Sequence, residues 1–137
     1  MEASTSFECS LETIKDVRQW IVDVLSSNNT PKEVVTDLIL AASEAVTNSV
    51  VHGYAKTRRG RVDLRLEVTN GFVSLTVRDY GSGFGRKLYT KPDTSVAQEG
   101  GYGVYLVHSL MDEVTLTSLD PGTEVRMKKL IKSKRRS

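Results

Sequence analysis

The stretch RVDLRLEVTNGFVSLTVRD, residues 61–79, alternates apolar and polar residues on both sides of Asn70-Gly71. Val62, Leu64, Leu66 and Val68 share one face of a strand of period two, and Val73, Leu75 and Val77 repeat the pattern after the turn. Asn-Gly between two such runs predicts a β-hairpin closed by a type I′ turn, which needs positive φ at both central residues. The fold must therefore be built around an antiparallel pair.

Upstream, Phe7, Cys9 and Leu11 alternate with polar residues and predict a first strand near 4–10. Ile14, Val17, Ile21, Val24 and Leu25 recur at helical spacing, which predicts an amphipathic helix over about 12–26. A second helix is expected from Thr30 as cap, with Pro31 in the first helical position and Glu33 completing a capping box, running to about His52 before Gly53. Downstream, residues 80–101 carry five glycines without periodicity, a long loop that needs a functional reason in a compact domain. A short helix is predicted over 103–111, then strands near 113–119 and 123–130 around Asp120-Pro121-Gly122. The order is α+β: a two-layer sandwich of a mixed, mostly antiparallel sheet with helices on one face. Regular βαβ alternation is absent, and no GxxxxGK[ST] sequence occurs, so a P-loop is excluded.

The 137 residues and 39% apolar content fit a single domain, 1–131, followed by a basic tail, 132–137. The net charge of +2 belongs to that tail: KSKRRS holds four of the 19 Lys and Arg, leaving 15 against 17 Asp and Glu in the body. A disordered, solvated tail is expected rather than a nucleic-acid face, so no direct nucleic-acid contact is expected. No apolar run reaching bilayer length and no basic-then-apolar start are read from the sequence, so a membrane partner is not expected and the location is cytoplasmic. The lone Cys9 fits a reducing compartment and a half-buried apolar role.

Four groups of residues could carry chemistry. Glu44, Asn48 and His52, four apart on the second helix, form one stripe at the border of an apolar arc that includes Ala41, Ala42, Ala45 and Ser49. An Asn oxygen suits Mg²⁺, which takes its remaining ligands from water and phosphate, and a nearby Glu can accept a proton from an attacking hydroxyl. A row of solvated polar groups would produce the same stripe. Asp79-Tyr80-Gly81-Ser82-Gly83 follows the hairpin, placing an acid at a strand end and glycines where a ligand could approach the backbone. Gly100-Gly101-Tyr102-Gly103 precedes a helix, whose N-terminus can bind phosphate. Gly122-Thr123 alone reads as a turn.

In order, ExxxN, DxGxG, a long lid, GxG before a helix and a late Gly-Thr resemble the ATP-binding pattern of the GHKL superfamily, over about Leu38 to Leu130. Ser43 to Asn48, His52-Gly53-Tyr54, Thr90-Lys91-Pro92 and Met111 to Val114 are similar to the anti-sigma-factor serine/threonine kinases of that superfamily. The resemblance implies the Bergerat ATP-binding fold, with ATP and Mg²⁺ as cofactors. It makes Glu44 the general base and Asn48 the Mg²⁺ ligand. Asp79 would bind the adenine amino group, Gly81 and Gly83 would shape the adenine side, and Thr123 would support it. Gly101 and Gly103 would offer backbone donors to phosphate, with Lys91 as a lid cation. The implied partners are a sigma factor, which is sequestered, and an anti-anti-sigma protein, which is phosphorylated. A homodimer is implied as well, with Arg18 as a partner-contacting residue. The chain departs from its relatives in a shorter lid and in Glu99, which stands where they carry a basic residue. That departure keeps two alternatives open: a non-catalytic ATP-dependent binding module, and an ATPase or kinase of another partner-switching system.

Overall fold

The computed structural model describes residues 1–54, 60–82 and 107–131. Strand β1 (Glu2–Glu8) leads through a single 3₁₀ turn into helix α1 (Ile14–Ser26), followed by helix α2 (Lys32–Asn48) and a π-helical turn, Ser49–Gly53. Strands β2 (Arg61–Thr69) and β3 (Phe72–Asp79) form the expected hairpin, and β4 (Glu113–Ser118) and β5 (Thr123–Leu130) form a second one. Residues 107–110 are helical, the described end of the helix expected over 103–111. The lid and the tail at 132–137 lie outside the described residues.

The sheet order is β1-β2-β3-β5-β4, and every pairing among the described strands is antiparallel, so the parallel component of a mixed sheet is not found among them. Alternation explains the two faces. Val62, Leu64 and Leu66 of β2, Val73, Leu75 and Val77 of β3, and Val125 and Met127 of β5 are buried in one core. Val17, Ile21 and Leu25 of α1 and Val34, Leu38, Ala41, Ala42, Ala45 and Val46 of α2 complete it. Each large aliphatic group buried this way contributes roughly 1.5–3 kcal/mol. The opposite strand positions carry ion pairs, Arg65 with Glu2 and Glu67 and Arg126 with Glu67, consistent with a face turned to solvent.

Two local expectations are corrected. Thr30 does not cap α2. Helix α1 closes with Asn29 in the left-handed region (φ 55°) and with the Thr30 amide bonded back to the Leu25 carbonyl at 3.2 Å, a Schellman-type ending. Thr30 is thereby committed to α1, Pro31 occupies the cap position without a side-chain bond, and the Thr30 hydroxyl has no partner. The Asn70-Gly71 turn is not type I′, because Gly71 alone has positive φ (95°). Its carbonyl accepts from the Ile131 amide at 2.7 Å, so the turn is fitted to the end of β5 as well as to its own hairpin. Finally, the helical run Lys32–Gly53 is long and apolar enough to cross a bilayer by length and composition. Its apolar side is the side that packs into the core, a common property of central helices.

Neighbouring leucines of α2 test this packing. Leu38 is 0% exposed and Leu40 is 41% exposed. Leu38→Ala is expected to cost about 2–5 kcal/mol of unfolding free energy through lost burial and the cavity left behind. Leu40→Ala should stay within about 0.5 kcal/mol, as exposed substitutions do. Urea denaturation of both variants measures the difference.

Candidate nucleotide site

The register of the sheet decides where Asp79 points. It continues the row Val73, Leu75, Val77 on the core side of β3, opposite Val62 on β2 and Thr123 on β5. An acid at the end of an apolar row is driven beneath the helices rather than into water, and Asp79 is 1% exposed. Donors must replace its hydration. The Ser49 hydroxyl donates to Oδ2 at 2.7 Å and the Gly81 amide donates to Oδ1 at 3.1 Å.

The π-helical turn after α2 supplies one of these partners. The Tyr54 amide reaches back five residues to the Ser49 carbonyl at 2.9 Å, widening the helix at its end, and such bulges recur at functional sites. The Ser49 hydroxyl and Gly53 both come against Asp79: a Cβ on Gly53 would lie 3.1 Å from its carboxylate. A Cβ on Gly81 would stand 2.0 Å from the Gly53 carbonyl, which accepts from the Ser82 amide at 2.8 Å. Gly122 approaches from the second hairpin, where a Cβ would lie 2.1 Å from the Asp79 carbonyl and φ is 97°. Three separate segments thus meet at Asp79 with no room for a side chain at Gly81 or Gly122.

At the end of β3 the backbone is held as well. The Tyr80 amide donates to the Tyr54 hydroxyl, which donates to the Arg61 carbonyl, both at 2.7 Å. Arg78 reaches the Asp79 carbonyl at 3.1 Å and the Pro121 carbonyl at 2.9 Å. Burial raises the pKa of the Tyr54 hydroxyl, with the Asp79 charge adding to the effect. Burial likewise pushes the Cys9 thiol up to about 12, with Asp79 again contributing. Both groups stay protonated beside the carboxylate, and Cys9 has no thiolate character.

Of the residues expected at the site, Asp79, Gly81 and Thr123 are brought together, and Thr123 is 2% exposed. Asn48 is 6% exposed at the end of α2, adjacent in sequence to Ser49, and Glu44 lies one turn earlier and half-buried. His52 falls in the π-helical turn and is exposed, so the stripe ends at Asn48. Gly83, Lys91, Glu99, Gly101 and Gly103 lie outside the described residues. Arg18 is exposed on α1 and donates to the Ser43 hydroxyl at 3.1 Å, next to Glu44. The sequence reading missed Ser49, which it assigned to the apolar arc. A hydroxyl on the buried face of a helix needs a polar partner, and that was the available signal.

Among the described residues no group of three or more His, Cys, Asp or Glu could hold a metal by itself. The buried amide of Asn48 supplies a single neutral oxygen, which fits Mg²⁺ only when phosphate and water complete its shell. The Asp79 carboxylate, held by two donors at a strand end, fits an amino group as its remaining partner.

The profile of the histidine kinase-like ATPase domain matches residues 7–129. This chain belongs to that family. Among its relatives, the serine-protein kinase RsbW of Staphylococcus aureus is 31% identical over 132 residues, covering 90% of this chain and 82% of that protein. An anti-sigma F factor of Clostridium novyi is 36% identical over 109 residues, 74% of each. The chain thus falls among the serine-protein kinases and anti-sigma factors of the histidine kinase-like ATPase family. In fold it is similar to the crystal structure of the RsbU and RsbW domains of a Mycobacterium tuberculosis protein, with a TM-score of 0.71 and 19% identity over 97% of this chain. The chain spans 33% of that longer one.

Ser49→Ala removes one oxygen yet leaves Asp79 Oδ2 buried without its hydroxyl donor. It is expected to lower unfolding free energy by about 1–3 kcal/mol, the usual cost of an unsatisfied buried group. Guanidinium denaturation checks this, and a change under about 0.5 kcal/mol, typical of neutral sites, would refute the role assigned to Ser49.

Proposed function

We propose that this protein is an ATP-dependent anti-sigma factor that sequesters a sigma factor and phosphorylates a Ser or Thr of an anti-anti-sigma partner. The single observation that supports it most is the Asp79 carboxylate, held by Ser49 and Gly81 at the end of β3 beside Thr123. Asp79 would accept from the adenine amino group, with Gly81, Gly83 and Thr123 forming that side of the pocket. Gly101 and Gly103 would offer backbone amides to the phosphates, and Lys91 a lid cation. When bound, Mg²⁺ on Asn48 would neutralise phosphate charge, the main electrostatic need of phosphoryl transfer.

In the transfer itself, Glu44 takes the proton of the partner's hydroxyl as that oxygen attacks the γ-phosphorus. The bond from the γ-phosphorus to the bridging oxygen breaks, and ADP leaves with its electron pair. Positioning and charge stabilisation supply most of the rate, with the base adding a factor of about 10²–10⁴. Partner binding would use β1 and α1 with Arg18, and a homodimer would form through the same end. The protein would act in the cytoplasm, with its partners.

One observation favours a second reading. Glu99 stands two residues before Gly101, where an anion would repel the γ-phosphate. Under that reading the protein binds ATP and partners without transferring phosphate, or acts as an ATPase or kinase in another switching system.

Incubation with γ-labelled ATP, Mg²⁺ and the anti-anti-sigma protein should label that protein. Glu44→Gln should cut the rate by about 10²–10⁴, as loss of a general base does, with ATP affinity retained. Tight ATP binding without transfer by the unaltered protein would favour the binding module. Absence of any complex with a sigma factor would favour the other switching system.

A further inference from the structure

The residue between Asp79 and Gly81 is the one member of that segment whose side chain leaves the core. Tyr80 turns to the solvent face of the sheet, where its ring lies under the guanidinium groups of Arg61 at 4.8 Å and Arg78 at 4.3 Å. Its hydroxyl donates to Asp63 Oδ2 at 2.5 Å, and Asp63 also accepts from Ser6 on β1 at 2.6 Å and pairs with Arg61 at 3.0 Å. Burial alone would raise the Asp63 pKa. The Ser6 and Tyr80 hydroxyls and the Arg61 charge outweigh it and hold the carboxyl below its usual value, so Asp63 stays an anionic acceptor at neutral pH. The Tyr80 amide is pinned as well, by the Tyr54 hydroxyl.

Tyr80 is thus fixed through ring, hydroxyl and amide, while the residues on either side of it carry the carboxylate and the amide that bond to each other. Cation–π contacts and charge-assisted bonds converge on the one side chain. Rotation of the 79–80 peptide would have to break the bond from the Tyr80 amide to the Tyr54 hydroxyl. Loss of the cluster would leave the Asp79 carboxylate oriented by Ser49 and Gly81 alone.

We propose that Tyr80 is a positioning residue for nucleobase selection: clamped by Arg61, Arg78 and Asp63 on the outer face, it sets the orientation of Asp79 and so the preference for a 6-amino over a 6-oxo purine. This rests on the reading of Asp79 as the partner of the adenine amino group. It assigns the outer face of the sheet, which contacts no nucleotide in that reading, a part in specificity.

The test compares dissociation constants for ATP and ITP, which differ at the purine 6-position. A site built to bond an amino group rejects the analogue lacking it, by at least about 100-fold in the unaltered protein. Tyr80→Ala is expected to reduce that ATP-to-ITP preference by about tenfold, equivalent to misplacing one hydrogen bond. Tyr80→Phe keeps the ring between the arginines and should stay within about threefold of the unaltered ratio. Arg61→Ala, an exposed substitution, should lower the ratio in the same direction and provides the measurement if Tyr80→Ala does not fold. Parallel weakening of ATP and ITP by Tyr80→Ala, with the ratio unchanged, would mean a merely structural role and overturn the proposal. So would equal losses in Tyr80→Phe and Tyr80→Ala. Asp79→Asn separates the two layers: if it leaves the ratio unchanged, the reading of Asp79 itself fails. If it abolishes the ratio while Tyr80→Ala and Arg61→Ala do not alter it, only the role of Tyr80 fails.

Discussion

A carboxylate inside a protein persists only where donors take over the work of water, and the arrangement around Asp79 follows from that requirement. Its position on the core side of β3 is set by register, two residues beyond Val77. Its donors come from the end of α2 and from the turn after β3, so helix, hairpin and turn must all be in place before the charge is tolerated. The glycines at 81 and 122 answer the same demand by letting backbone close to contact distance. A buried charge without its partners is destabilising, so misassembly of the site would be felt as lost fold stability. Site geometry and fold stability are one constraint here.

The two faces of the sheet divide the labour. The inner face holds the core and, at its end, the acid. The outer face holds ion pairs of the sort worth little to stability when exposed, yet the part nearest Asp79 is organised differently. There Arg61, Asp63 and Arg78 converge on one aromatic ring instead of pairing only along the strand. Arg65, by contrast, pairs only with the carboxylates of Glu2 and Glu67 among the described residues.

Much of this was legible in the residue order. Period-two runs located β2 and β3 to within a residue or two, because the inner and outer faces differ sharply in polarity. Helical spacing located α1 and α2 for the same reason, and the ordered motifs singled out Asp79, Gly81 and Thr123, which the sheet brings together. What escaped is what depends on competition between neighbours. Thr30 has the right chemistry for a cap, but the ending of α1 claims its backbone first. Asn70-Gly71 has the right residues for a type I′ turn, but its Gly71 carbonyl also accepts from the amide of Ile131, just past β5. Ser49 looked like a small residue on an apolar arc because the acid it serves is 30 positions away. The π-helical turn has no periodic signature at all. It replaces the α spacing that put His52 on the stripe.

The Tyr54 hydroxyl has one further consequence. Past the pair Val62 and Asp79, the next residues in register are Arg61 and Tyr80, and the phenol oxygen stands between the carbonyl of one and the amide of the other. The last rung between these strands is therefore written by a residue that belongs to neither. A substitution at position 54 edits backbone pairing at a distance, leaving every residue of both strands unchanged. The end of this strand pair is thus heritable independently of the strands themselves.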